Sequence, residues 1–126
     1  MSPDERRATA LATGLGAMGV LHFVAPRFFD PIVPDWMPGE ARTTTYASGV
    51  FELASAVLVA MPSTRKLGGW LSAVTIAGVY PANIQAALDG GMKGAPPPFD
   101  SAAAAWARLP MQIPMIRLAV KVARSA

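Results

Sequence analysis

Residues 8–21 read Ala8-Thr-Ala-Leu-Ala-Thr-Gly-Leu-Gly-Ala-Met-Gly-Val-Leu21, with no charge at any helical position. A helix on the surface of a soluble bundle needs a polar face, and this stretch has none. It is the centre of an apolar run over about residues 8–25. Three more runs follow, at about 43–61, 67–88 and 102–122. Each is close to the ~20 residues that cross a ~30 Å hydrocarbon core at ~1.5 Å per residue. The expected fold is an all-α membrane protein. It forms an antiparallel bundle of four transmembrane helices, with residues 1–126 as one domain. The competing reading, a soluble four-helix bundle, fails on the first run.

Composition points the same way. Hydrophobic residues make up 52% of the chain and charged residues 15%, against roughly 25% charged in an ordinary soluble domain. Mean hydropathy is +0.35 even with 12 prolines and 11 glycines. The pI of about 9.8 does not indicate nucleic acid, because the basic residues sit in pairs at the ends of apolar runs and form no stripe. The absence of cysteine excludes disulfides, thiol redox chemistry and cysteine metal sites. Arg6 and Arg7 precede the first run as they would in a signal peptide. Bulky residues and Pro26 then stand where a small-residue cleavage site belongs, so the run reads as a retained helix. Ala8, Ala12 and Gly16 recur every four residues and Gly19 nearly continues their face, spacing that lets membrane helices approach closely.

The breaks between runs differ in character. Segment 26–42 holds Pro26, Pro31, Pro34, Pro38 and Gly39, so it cannot be helical throughout. Its Phe28, Phe29, Ile32, Val33, Trp36 and Met37 are too apolar for a free loop. It is expected to lie in the membrane interface or to fold back over the bundle. Segment 89–101, with Gly90, Gly91, Gly94 and Pro96 to Pro98, reads as an ordinary exposed loop. The short link Pro62-Ser-Thr-Arg-Lys66 makes the second and third helices antiparallel neighbours.

Orientation follows from the distribution of Lys and Arg. Arg6, Arg7, Arg65, Lys66, Arg117, Lys121 and Arg124 fall on one side of a four-span bundle, and Arg27, Arg42 and Lys93 on the other. This predicts a multi-pass protein of the plasma membrane with both termini cytoplasmic. Trp36, Trp70 and Trp106 lie near the expected interfaces, where tryptophan belts form.

Polar residues inside a span are costly and need a partner or a purpose. The four runs supply His22, Glu52, Asn83 with Gln85, and Arg108 with Gln112. At ~1.5 Å per residue, Glu52 lies roughly 14 Å from the outer end of its helix, Asn83 about 8 Å and Arg108 about 9 Å. His22 is a few residues below the outer end of the first helix. All fall between the outer surface and the midplane, which suggests one cluster around Glu52, with Arg108 as its expected ion-pair partner and His22 or Asn83 completing the hydrogen bonds. Tyr46 and Tyr80 join these residues as expected ligand-binding positions. His22, Glu52 and Arg108 are the catalytic candidates. Pro81, Pro110 and Pro114 interrupt the third and fourth runs beside this cluster and are expected to bend those helices. One histidine and one membrane carboxylate fall short of a metal site, so no metal is expected.

Five segments together resemble the DoxX-like family of small four-helix membrane proteins: Gly19-Val-Leu-His-Phe-Val-Ala-Pro26, Phe29-Asp-Pro-Ile-Val-Pro34, Tyr46-Ala-Ser-Gly-Val-Phe-Glu-Leu-Ala54, Tyr80-Pro-Ala-Asn-Ile-Gln85 and Arg108-Leu-Pro-Met-Gln-Ile-Pro114. The resemblance runs in order over nearly the whole chain. It implies the fold strongly and a function weakly, and it transfers no catalytic set. The family takes its name from a subunit of a thiosulfate:quinone oxidoreductase, and some members are linked to redox-stress complexes. The lack of cysteine here argues against direct thiol chemistry.

The functional expectation is a polar cavity in the outer half of the bilayer that binds a lipid, quinone or other apolar molecule, or an accessory subunit of a membrane complex. Expected partners are the bilayer, a membrane protein or a second copy, and not nucleic acid. The alternative is a quinone-linked oxidoreductase subunit or an acid–base membrane enzyme using His22 and Glu52. A small proton-coupled transporter ranks last, because in such proteins the essential glutamate lies in the first helix.

Overall fold

The first helix starts where local chemistry tells it to. Ser2 caps it, the Ser2 hydroxyl accepting from the Glu5 backbone N–H while the Glu5 carboxylate accepts from the Ser2 N–H, and Pro3 occupies the first turn. The computed structural model describes residues 1–92, 94 and 97–126. Lys93 and Pro96 of the sequence reading lie outside the described residues. The chain is all-α: α1 (Pro3–Val24), α2 (Ala41–Ala60), α3 (Arg65–Leu88) and α4 (Ala102–Ser125), with no strand among the described residues. Short 3-10 turns occur at Pro26–Phe28, Asp30–Ile32 and Pro62–Thr64. Each helix packs on the next, most extensively α1 on α2 and α3 on α4, and α4 closes lightly onto α1.

The core is built mostly from alanine and valine with a few larger aliphatic side chains. Ala8, Leu11, Leu15, Ala56, Val59, Ala73, Ile76, Ala119 and Val122 form its main cluster. Glycines set the helix spacing. A Cβ on Gly19 would stand 2.7 Å from Leu53 Cγ, and one on Gly69 would stand 2.6 Å from the Ala123 backbone nitrogen. Two buried serines are satisfied within their own helices, Ser55 donating to the Phe51 carbonyl at 2.7 Å and Ser72 to Gly68 at 2.6 Å. At the tight α2–α3 link, Thr64 Oγ1 donates to Leu58 O and Arg65 to Val59 O and Ala60 O, covering the last free carbonyls of α2.

Many large apolar side chains point the other way. Val24 is 73% exposed, Val74 67% and Leu67 62%, and Phe51, Val57, Trp106 and Met111 are exposed as well. By length and hydropathy, one helix among the described residues, Pro62–Leu88, can cross a membrane, and α1 passes the same test together with Pro26–Ile32. Thr43 to Thr45 and Glu52 dilute the hydropathy of α2, and Arg108, Gln112, Arg117 and Lys121 that of α4.

After α1 the chain turns by 102° into the 26–32 segment, which folds back over the end of the bundle. Asp30 ties it to α2, accepting from Arg42 Nε at 2.9 Å and Thr45 Oγ1 at 2.7 Å. Ile32 packs against Ala86 and Met92. In segment 89–101, residues 89, 90, 94 and 97–100 are exposed as the sequence leads one to expect, with one exception at its start. Gly91 and Met92 are buried, Met92 to 3% exposure, because the Met92 side chain fills the gap between Ile32 and Ala86. The helices run on through Pro81, Pro110 and Pro114, each of which removes one N–H from the helical ladder.

Candidate functional site

The four helices and the folded-back segment border a half-open cavity of about 360 Å³, within the ~300–1,000 Å³ typical of small-molecule sites. α1 contributes Gly14, Leu15, Met18 and His22; α2 contributes Thr45, Ser48 and Glu52. α3 brings Ile76, Val79 and Asn83, and α4 brings Arg108, Met111, Gln112 and Met115. Phe29, Ile32 and Val33 of the segment after α1 cover one side.

His22, Glu52, Asn83, Arg108 and Gln112 therefore meet around one space. Tyr46, Tyr80 and Gln85 do not line it. Successive residues on a helix are turned ~100° apart, so Thr45 and Val79 face the cavity while their neighbours Tyr46 and Tyr80 face away. Tyr46 stacks on Phe23 at 5.2 Å between ring centres, beneath the Arg42 guanidinium. Tyr80 packs against the cluster of Ala87, Ala105 and Leu109. Gln85 donates to Asp89 Oδ1 at 3.0 Å. Of the apolar walls, Met18, Met111 and Met115 carry no distinguishing signal in the sequence, because they are apolar residues in apolar helices, whereas Phe29, Ile32 and Val33 belong to the segment whose apolarity predicts that it folds back over the bundle.

His22 is held on three sides. Its ring stacks on Phe29 with centroids 3.7 Å apart. Its Nδ1 lies 2.6 Å from the Met18 carbonyl oxygen, which places the proton on Nδ1 as donor. Gly49 gives it room: a Cβ there would stand 2.8 Å from His22 Cβ and 2.7 Å from the Phe23 ring. Glu52 Oε2 approaches His22 Nδ1 at 3.3 Å, yet with that N–H directed at Met18 the oxygen has no hydrogen-bond partner.

The expected Glu52–Arg108 ion pair is absent among the described residues. Arg108 Nη1 instead lies 2.7 Å from Met92 Sδ, and that contact depends on the buried turn of segment 89–101. Gln112 Oε1 is buried without a partner. Asn83 is 5% exposed, faces the cavity, and its side chain makes no hydrogen bond to a described residue. Each unpaired buried polar group costs ~1–3 kcal/mol. Several such groups around one space form a site prepared for a polar occupant. No group of three or more His, Asp or Glu side chains able to hold a metal occurs among the described residues.

A family model described as a domain of unknown function (DUF8561) matches residues 11–123. The chain belongs to this family. The matched span includes every polar residue of the cavity, so the site lies within the DUF8561 domain itself. Comparison with curated proteins and with solved structures gave no match.

Proposed function

We propose that this DUF8561 chain is a four-helix integral membrane protein whose cavity, in the outer half of the bilayer, holds a small amphiphilic molecule. One observation carries the reading: polar side chains from all four helices, several without partners, converge on a space whose other walls are apolar. That lining suits a molecule with a polar head and a hydrocarbon body, such as a lipid or a quinone. The exposed Val24, Phe51, Val74, Trp106 and Met111 support the four-span reading, because every helix turns large apolar side chains outward, where lipid would cover them. The order of the motifs around His22, Glu52, Asn83 and Arg108 supports grouping with DoxX-like membrane proteins, whose roles include accessory subunits of membrane complexes.

Native mass spectrometry of the protein from mild detergent tests the site. The wild type is expected to retain a lipid-sized mass. In Glu52→Gln with Arg108→Leu, occupancy should fall about tenfold or more, the equivalent of ~1.4 kcal/mol. A wild type that carries nothing would sink the reading.

Topology has its own test. The chain has no cysteine, so single introduced thiols report without background. In intact cells Asp100→Cys is expected to react with a membrane-impermeant maleimide, and Ser125→Cys only after lysis. The reverse pattern would invert the assigned orientation.

A second reading, acid–base chemistry on a membrane-dissolved substrate, draws on the 3.3 Å approach of Glu52 to His22. With its proton on Nδ1, the ring offers Nε2 as acceptor, beside a carboxylate oxygen that has no other partner. Turnover that survives combined His22→Ala and Glu52→Gln would remove this reading.

A further inference from the structure

A second space, of about 250 Å³, opens between α2 and α3. Its lining includes Phe51, Leu71, Val74 and Gly78, together with Ser48 and Val79. Ser48 and Val79 also line the main cavity, so these two small side chains stand at the boundary between the spaces. Phe51 and Val74 are largely exposed, which puts the far side of the cleft on the outer surface of the bundle. A Cβ on Gly78 would meet nothing within 4 Å, so the glycine leaves the mouth open where a larger residue would fill it. Among helices consecutive in sequence, α2 and α3 make the least extensive contact. Pro81 adds compliance, because its ring leaves the Ala77 carbonyl without an N–H in the turn that carries Gly78 and Val79.

We infer that the α2–α3 cleft carries the hydrocarbon chain of a single-chain lipid out of the cavity toward the bilayer, with a neutral hydroxylated ester or amide head held among Glu52, Asn83, Arg108 and Gln112. This rests on the cavity's being a ligand site. The head follows from the unmet hydrogen bonds. Glu52 Oε2 and Gln112 Oε1 are acceptors without donors. Arg108 is a cation whose partner among the described residues is the Met92 thioether, a weak acceptor. The occupant must therefore present hydroxyl donors and a carbonyl acceptor within one small head. Unpaired acceptors on Glu52 and Gln112 beside the donors of Arg108 suit a head that both donates and accepts hydrogen bonds. The tail follows from continuity: an apolar cleft adjoins the cavity and reaches the exposed surface. A single cleft of this volume takes one chain. A molecule so placed reaches its site sideways from the lipid, without passing through water.

The test uses a photoreactive 1-monoacylglycerol with a diazirine at mid-chain and the full-length protein in lipid nanodiscs. Cross-links that excess monopalmitoylglycerol displaces are expected on residues 48–51 and 71–79. Gly78→Leu, which grows into open space and keeps the fold, should reduce them about tenfold, a ~1.4 kcal/mol change in occupancy. Displaceable cross-links confined to α1 or α4 would overturn the cleft and leave the cavity reading intact. Palmitate displacing the probe better than monopalmitoylglycerol would overturn the neutral head. Labelling that no monoacylglycerol displaces, from protein that still carries a native bound mass, would overturn the lipid class. Loss of the native mass itself would be a failure of the cavity reading, seen separately.

Discussion

Replacing Gly69 with leucine is expected to abolish the folded bundle. α3 and α4 form one of the two most extensive helix contacts in the molecule, and they meet backbone to backbone at this position. Even a Cβ on Gly69 would lie 2.6 Å from the Ala123 nitrogen and 2.8 Å from its Cα. Backbone atoms on a packed helix cannot swing aside as a flexible side-chain end can, so relief requires α4 to move outward. That would strip contact from Ala119 and Val122, both essentially without exposure. Overpacking commonly costs ~1–3 kcal/mol, and forcing two helices apart lies at or beyond the upper end of that range. Thermal denaturation in detergent should show the transition lowered by many degrees or lost, with aggregation on size exclusion. Gly78→Ala is the control. It adds a methyl where nothing lies within 4 Å, and alanine exceeds glycine in helix propensity by ~1 kcal/mol, so its transition should stay or rise. A Gly69→Leu protein that melts like the wild type would mean that the α3–α4 contact is not close-packed.

Much of this was legible in the sequence, and the failures have physical reasons. The helices appeared because apolar runs of spanning length leave little else for the backbone to do. The apolar run begins at residue 8, but α1 begins at Pro3, because the capping-box spacing of Ser2-Pro-Asp-Glu5 starts the helix in its polar first turns. His22, Glu52, Asn83, Arg108 and Gln112 were assembled by depth alone, since the rise per residue is fixed. Depth says nothing about rotation around the axis, so it does not distinguish Tyr46 and Tyr80, each one residue and so ~100° off a cavity-facing position, from Thr45 and Val79. Choosing Arg108 as the partner of Glu52 required distances between helices that sequence spacing does not contain. Met92 takes that place from a segment rich in glycine and proline, whose turn residues give no sign of which apolar side chain among them is buried.

Breaking the hold of Asp30 on α2 is expected to loosen the cover of the cavity without unfolding the helices. Phe29, Ile32 and Val33 shield the site, and Phe29 lies flat on the His22 ring. The segment that carries them contains only 3-10 turns of three residues, too short to hold a position unaided. Its polar anchor is the Asp30 carboxylate, bonded at one oxygen to the half-exposed Arg42 and at the other to the buried Thr45. A hydrogen bond to a charged group contributes ~1.5–3 kcal/mol, and the Arg42 bond is discounted toward the surface value of ~0–1 kcal/mol. Asp30→Ala also leaves the Thr45 hydroxyl buried without its acceptor. Together these losses should raise the open population of the segment by about ten- to a hundredfold, at ~1.4 kcal/mol per factor of ten. Hydrogen exchange should accelerate by that factor over residues 28–37 and stay unchanged in the centres of α2 and α3. A bound amphiphile should dissociate correspondingly faster. Asp30→Asn, which keeps an acceptor for Thr45 but loses the charge toward Arg42, should fall between. Unaltered exchange over residues 28–37 in Asp30→Ala would place the hold elsewhere, on the apolar contact of Ile32 with Ala86 and Met92. The companion variant Ile32→Ala would then carry the acceleration instead.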